Sequence, residues 1–348
     1  MTEENKMEYV RLGKSGLKIS RLILGCASYG LKANRAWLLE EAEALQHIKL
    51  AYDLGINAFD TANVYSNGIC NRILGKAIKQ FNLPREEIVV MTKVFLPVGR
   101  GEETVASKPV KELESLRYTN QFGLSRKWHI FEAIKHSLER LQLDYVDVFQ
   151  CHRFDHNTPI EETMEALHDI VKAGYARDIG MSSCYAWQFH KMQNYARARG
   201  LTEFISMQNL YNPVYREEER EMIPLLKDLG VGMINWSPNA AGYLTRPYGT
   251  ETERSGSDHG SKKMAGASFL ESVNKRVQDI ANARGVSMAQ VVLAWNLSKD
   301  FINAPILGTS SLEKLRDSVG AIQLKLTEEE IKSIEEPYQP RPVFGIVL

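Results

Sequence analysis

Ile56-Asn-Ala-Phe-Asp-Thr-Ala-Asn-Val-Tyr65 reads as a short apolar strand that delivers a carboxylate, Asp60, into a loop presenting a phenol, Tyr65. Two later stretches repeat the arrangement. Ile88-Val-Val-Met-Thr-Lys93 ends in a lysine and Tyr145-Val-Asp-Val-Phe-Gln-Cys-His152 in a histidine. A free phenol has a pKa of about 10 and needs help to act as an acid near neutral pH, and a nearby ammonium lowers that value by favouring the phenolate. Lys93 is suited to supply the ammonium, Asp60 to hold and charge-balance it, and His152 to orient a polar substrate oxygen. Taken singly, each has an ordinary explanation: an Asp after a strand forms turns, and loop tyrosines and lysines are common on surfaces. Their coincidence at the same end of consecutive strands points to chemistry, because that is the end where α/β barrels carry their sites.

Working outward, Tyr9 to Ser20 reads as part of a hairpin over 8–20, with two β-prone runs around a glycine-flanked turn. A first buried strand follows at 21–25, then the small-residue loop Cys26-Ala-Ser-Tyr-Gly30. The helical spacing of Leu39, Ala42, Leu45, Ile48 and Leu50 predicts a helix over 38–54 that Gly55 ends. Beyond it strands are expected at 57–60, 88–93, 145–152, 178–182, 204–208, 231–236 and 304–307. Helices are expected after them at 71–80, 127–141, 160–172, 186–199, 216–229, 269–284 and 311–322. This alternation implies a parallel sheet covered by helices, and the count fits a closed (β/α)8 TIM barrel forming a single domain over 1–348. An open doubly wound sheet fits less well, since no G-x-G-x-x-G follows any strand. Three segments exceed what a barrel needs: long loops at 95–126 and 244–268, and a C-terminal helix with a Pro-rich tail over 326–348.

The composition excludes several classes of function. Forty-three basic residues balance forty-three acidic ones in 348 residues, so no long-range field favours nucleic acid or an anionic membrane. No apolar run approaches the roughly 18 residues of a membrane span, and the start Met-Thr-Glu-Glu-Asn-Lys lacks the pattern of a secretory signal. A cytoplasmic protein is expected. Cys26, Cys70, Cys151 and Cys184 lie far apart without C-x-x-C spacing, which argues against a zinc site or redox pair. No metal is expected.

The loops after the seventh and eighth barrel strands are the usual phosphate site of such barrels, aided by a helix N-terminus. Here they read Trp236-Ser-Pro-Asn-Ala-Ala-Gly-Tyr-Leu244 and Gly308-Thr-Ser-Ser-Leu-Glu-Lys-Leu-Arg-Asp-Ser318. Small residues and hydroxyls let backbone donors approach an anion, and Lys314 and Arg316 could neutralise a further phosphate. The same hydroxyl cluster also reads as an ordinary N-cap.

Together F-D-T-A-N-V-Y, the M-T-K and Q-C-H-R strand ends, G-M-S-S, M-Q-N-L-Y-N, W-S-P and I-L-G-T-S-S-L-E-K-L resemble an aldo-keto reductase over nearly the whole chain. The opening R-L-G-K-S-G-L-K-I-S is similar to the aryl-alcohol dehydrogenase-like and channel β-subunit-like branches. The resemblance implies a (β/α)8 fold, NADPH (or NADP+) held across the barrel mouth without a Rossmann domain, and reversible carbonyl reduction. By position it makes Tyr65 the general acid, Lys93 and Asp60 its support, and His152 the donor to the substrate carbonyl. Ser182, Ser183 and Gln208 match the positions that hold the nicotinamide carboxamide, and Trp236 the aromatic that stacks on its ring. Ser237, Pro238, Asn239, Ala240 and Gly242 match the pyrophosphate loop. Gly308, Ser310, Lys314, Asp317 and Ser318 match the adenosine end, with Lys314 where a cation meets the 2′-phosphate. Ser183 stands where many members have Asn or Arg, and Ser318 where Asn is frequent, so those contacts are expected to be shorter or water-mediated.

The function expected is NADPH-dependent reduction of small aldehydes or ketones, with Tyr29, Phe95, Trp128 and Tyr211 as candidates to line an apolar substrate pocket. Two alternatives stay open: a regulatory subunit that senses NADPH, and a sugar, polyol or aryl-alcohol dehydrogenase working oxidatively. The sequence leaves substrate, direction and oligomeric state undetermined.

Overall fold

The computed structural model describes residues 7–101, 105–106, 108–125, 129–258, 262 and 264–346. Strands β1 (Tyr9–Arg11) and β2 (Lys18–Ser20) form an antiparallel hairpin with Val10 opposite Ile19. The next eight are β3 (Ile23–Gly25), β4 (Ala58–Asp60), β5 (Val89–Val94), β6 (Val146–Cys151), β7 (Ala176–Ser182), β8 (Phe204–Leu210), β9 (Gly232–Trp236) and β10 (Ile302–Leu307). They close into a parallel barrel in the order β10-β3-β4-β5-β6-β7-β8-β9, the (β/α)8 TIM barrel that the strand–helix alternation predicts.

The barrel strands are covered on both sides, so they read as continuous apolar runs. All six residues of β5 are buried, the lysine included. The outer helices bury one stripe each: helix Phe131–Leu141 turns Ala133, Ile134, Ser137, Leu138 and Leu141 inward, and helix Ile160–Lys172 turns Thr163, Met164, Ala166, Leu167 and Ile170 inward. Register across the wall carries the functional side chains to a common height. Gly25 pairs with Asp60, Asp60 with Met91, Lys93 with Gln150, and Ser182 with Gln208.

The β1–β2 hairpin closes the opposite end. Leu12 and Ile19 pack, fully buried, against Ile23, Ala58, Val89, Met91, Val148, Ile234, Ala304 and Ile306 inside the barrel. The turn lies against the segment that leads from helix Met222–Leu229 into β9: Lys14 N donates to the carbonyl of Gly230 at 2.8 Å. Gly13 has φ +59, and a Cβ there would stand 2.4 Å from Gly232 N. Backbone lies against backbone.

Several expectations are amended. A helix at Met288–Leu297 lies between the predicted helix at 269–284 and the last strand. Val291, Val292, Leu293, Ala294 and Trp295 are all buried in it, so it lacks the one-sided stripe that marks a surface helix. The helix expected over 216–229 is a 3-10 turn, Glu217–Glu219, followed by Met222–Leu229. The loops at 95–126 and 244–268 carry short helices, Val110–Ser115 and Glu253–Ser257, and parts of both fall outside the described residues. After helix Glu328–Glu335 the tail returns over the barrel mouth, where Phe344 meets Tyr215 edge-on at 4.7 Å. Among the described residues no helix is long and apolar enough to cross a membrane.

Gly13→Ala is expected to lower unfolding stability by about 1–3 kcal/mol through overpacking and left-handed strain. A urea titration checks this; an unchanged midpoint would mean that the hairpin does not seat against β9 as described.

Candidate active site

Lys93 lies in the barrel wall with no exposed surface. Its ammonium donates to Asp60 Oδ2 at 2.5 Å, to the carbonyl of Thr61 at 2.9 Å and to Tyr65 Oη at 3.3 Å. All three of its protons have acceptors. The other carboxylate oxygen of Asp60 accepts from Gln208 Nε2 at 2.8 Å and Gln150 Nε2 at 3.1 Å, and Gln208 Nε2 also donates to Gln150 Oε1 at 3.0 Å. Four strands thereby fix one ion pair. Tyr65 follows β4 in a tight turn whose next residues are left-handed, Ser66 at φ 45 and Asn67 at φ 55. Their side chains hold that conformation: Ser66 Oγ donates to the Tyr29 carbonyl at 2.7 Å, and Asn67 Oδ1 accepts from Gly99 N at 2.6 Å. The imidazole of His152 meets the Tyr65 ring edge-on, centroids 5.7 Å apart.

The charges follow from these surroundings. Burial opposes the Lys93 charge, but Asp60 and Tyr65 outweigh it and hold the ammonium above its ordinary pKa. Burial raises the Tyr65 phenol; Lys93 and Arg153 pull it down without overcoming that, so it stays above the ordinary phenol value. The expected lowering by Lys93 is present as an effect but not as the net result. Burial first, then Arg153 and Lys93, push His152 well below the ordinary imidazole range. His152 is therefore neutral near pH 7. Its Nδ1 is buried without a partner, so the tautomer useful in the cavity carries its proton on Nε2 and donates outward.

A cavity of about 890 Å³ opens at this end of the barrel. It takes in Asp60, Tyr65, His152, Ser182, Gln208 and Trp236 together with Ser237, Pro238, Asn239, Gly242, Gly308, Ser310, Lys314, Asp317 and Ser318. At its far end Lys314 Nζ donates to Ser310 Oγ at 2.9 Å, Ser318 Oγ donates to the Lys314 carbonyl, and Asp317 accepts from Ser287 Oγ and Gln290 Nε2. Polar wall atoms without partners among the described residues include Ser28 Oγ, Asn239 Oδ1 and Arg246 Nη2. A chamber of this size with polar atoms along it and a cation at one end fits a phosphorylated dinucleotide.

An aldo/keto reductase family model matches residues 21–339. The chain belongs to the aldo/keto reductase family. It is an oxidoreductase of a family that generally uses nicotinamide cofactors. It is 45% identical over 341 residues to a versiconal hemiacetal acetate reductase of Aspergillus parasiticus, covering 97% of this chain and 98% of that protein. A Schizosaccharomyces pombe protein bearing an aryl-alcohol dehydrogenase name is 46% identical over 345 residues, covering 97% of each. An aldo-keto reductase of Fusarium vanettenii is 44% identical over 348 residues, covering 98% of this chain and 93% of that protein.

In this aldo/keto reductase some expected residues stand elsewhere. Ser183 lies behind the cavity wall, where its Oγ accepts from the Trp236 indole at 3.1 Å; it braces the aromatic. Ala240 is fully buried and its neighbour Ala241 lines the cavity. Gln208 spends its amide donor on Asp60 and Gln150. The substrate-pocket expectations fare worse. Tyr211 points out of the barrel, stacked on Trp295 at 5.4 Å and bonded to Glu219, because it lies an odd number of residues from inward-facing Gln208. Tyr29 packs against His47, and Phe95 against Phe122 at 4.9 Å. Trp128 lies outside the described residues.

Sequence reasoning missed Trp37, Arg153, Arg246, Arg254 and Phe344, all in the cavity wall. It missed Gln150 beside the ion pair as well. Arg153 and Gln150 share the Q-C-H-R strand end with His152 and were open to the same reading. Trp37 and Arg254 come from separate loops and meet by stacking, the guanidinium 4.4 Å from the ring centroid.

Asp60→Asn leaves the Lys93 ammonium buried without its counter-charge, and a loss of about 3–5 kcal/mol is expected near pH 7. An unpaired Lys93 folds more readily without its proton, so the deficit relative to the parent should narrow as pH rises toward 10. Thermal unfolding across pH checks this; a pH-independent deficit would show that the pair is not what Asp60 supports.

Proposed function

We propose that this protein is an NADPH-dependent carbonyl reductase that interconverts aldehydes or ketones and alcohols, with Tyr65 as the general acid. One observation carries the reading. The Tyr65 hydroxyl stands at the cavity, 3.3 Å from an ammonium that is itself locked to Asp60. When bound, the nicotinamide supplies the hydride for the carbonyl carbon.

The chain's own residues do the rest. His152, neutral and with Nε2 toward the cavity, donates to the carbonyl oxygen and sets its position. Tyr65 Oη delivers a proton to that oxygen as negative charge develops on it. Lys93 stabilises the phenolate left behind, and its own charge is balanced by Asp60, so little reorganises during the step. The raised pKa of the phenol keeps it protonated at neutral pH, as an acid must be. In the oxidative direction the same proton path runs backwards.

For the cofactor, Trp236 and Ser182 would receive the nicotinamide, Ser237 to Gly242 the pyrophosphate, and Gly308 to Ser318 the adenosine. Lys314 supports a preference for NADPH. No carboxylate of the described residues pairs with it, and its bond to Ser310 holds it at the cavity wall.

Tyr65→Phe is expected to lower kcat by about 10²–10⁴-fold while fluorescence titration shows NADPH binding little changed; undiminished turnover would remove Tyr65 as the acid. Lys314→Ala should weaken NADPH by about 10-fold or more and NADH far less. Equal losses in the two titrations would refute the 2′-phosphate role.

A further inference from the structure

Several cations line the active-site cavity, and their partners sort them. Lys32 pairs with Glu43 at 3.5 Å, and Arg254 pairs with Asp258 while stacking on Trp37. Arg246 donates to the carbonyl of Gly242, the last residue of the stretch assigned to the pyrophosphate, and to that of Thr250, and Lys314 belongs to the adenosine end. Arg153 is different. It follows His152 directly at the end of β6, and the strand pins it there: His152 N donates to the Val94 carbonyl at 2.9 Å, and Arg153 Nη1 donates to the His152 carbonyl at 2.6 Å.

Among the described residues nothing balances the charge of Arg153. Among the described residues no carboxylate pairs with it, and the bond to the His152 carbonyl is its one hydrogen bond. Nε is buried without a partner. Nη2 makes no protein bond and is not among the buried atoms, so it is the edge that reaches the cavity. Its surroundings do not compensate. Lys93 is already neutralised by Asp60, His152 is neutral, and the Tyr65 phenol is protonated. Counted over the described residues, the catalytic end therefore holds one net positive charge, on a half-buried guanidinium whose charge burial disfavours. Trp37, Tyr65, Trp236 and Phe344 supply flat apolar wall in the same cavity.

We propose that Arg153 anchors a carboxylate on the substrate, so that the enzyme acts on carbonyl compounds bearing an acid group on an aromatic or otherwise flat apolar frame. A carboxylate takes the Nη2 edge and cancels the net charge, while the carbonyl of the same molecule meets Tyr65 and His152. A guanidinium held by its own backbone loses little freedom when it binds, which favours an anion over a neutral group of similar size. The inference rests on the reading of the site as a carbonyl reductase, and it adds the chemical class of the substrate.

The test compares matched acid and ester substrates with the NADPH-saturated enzyme: 3- and 4-formylbenzoate against their methyl esters. The parent enzyme is expected to favour the acids by about 10-fold or more in kcat/KM, chiefly through KM, as a charge-assisted bond predicts. Arg153→Gln should bring the acid-to-ester ratio near one, and Arg153→Lys should restore part of it. A parent that reduces esters as well as acids overturns the proposal. So does an Arg153→Gln variant that loses acid and ester activity in equal measure: with weaker NADPH binding that result assigns Arg153 to the cofactor, and with a kcat loss alone it assigns it to Tyr65.

A second readout does not need turnover. Benzoate, compared with benzamide, is titrated into the NADP+ complex by fluorescence. Benzoate binding that Arg153→Gln abolishes upholds the anion site even if no carbonyl is reduced, in which case only the reductase reading fails. Equal binding of benzoate and benzamide overturns the anion site whatever the turnover.

Discussion

The lysine buried in the barrel wall is the constraint on which the rest of the site depends. An ammonium removed from water costs several kcal/mol unless it is paired and hydrogen-bonded, and the fold meets this requirement in full. Asp60 supplies the charge, the Thr61 carbonyl and Tyr65 hydroxyl take the remaining protons, and Gln150 and Gln208 hold the far oxygen of the carboxylate. These groups come from β4, β5, β6 and β8 and the turn after β4. The pair is satisfied once the barrel has closed, so the same contacts tie the geometry of the site to the fold.

Tyr65 stands between opposing influences. Burial and Asp60 work against a phenolate, whereas Lys93 and Arg153 favour it. The balance leaves a phenol that keeps its proton at neutral pH yet has cations beside it to take up the charge once the proton leaves. With Tyr65 as the proposed acid, a weaker burial would leave less electrostatic leverage at the transition state, because these interactions strengthen as water is excluded. The neutral imidazole of His152 suits the same arrangement, since a further positive charge beside Lys93 and Arg153 would add repulsion, while the neutral ring can still donate through Nε2–H.

The two ends of the barrel divide the labour. At one end Leu12 and Ile19 plug the interior, and Gly13 lets the hairpin backbone lie against β9. At the other, loops and the tail build the chamber: Trp37 and Arg254 stack between two loops, and Phe344 comes back over the mouth from the C-terminal segment. The packed interior lies below the site, and loops and the tail lie above it, the division by which barrels of this kind support different substrates.

The sequence by itself determined the alternation of strands and helices, the barrel it implies, and the candidates Asp60, Tyr65, Lys93 and His152, because strand ends and helical stripes are local patterns. It did not reveal helix Met288–Leu297, which is apolar nearly all round and so carries no stripe to read. Nor did local pattern separate Gln208, which bonds Asp60 across 148 residues, from Tyr211, which faces outward to Trp295 and Glu219. That choice is made by strand parity and by which strand becomes a neighbour when the barrel closes. The same holds for the net direction of the Tyr65 pKa and for the unpaired charge on Arg153. Each is a sum over groups distant in sequence and over the water excluded between them, and that sum exists only in the folded chain.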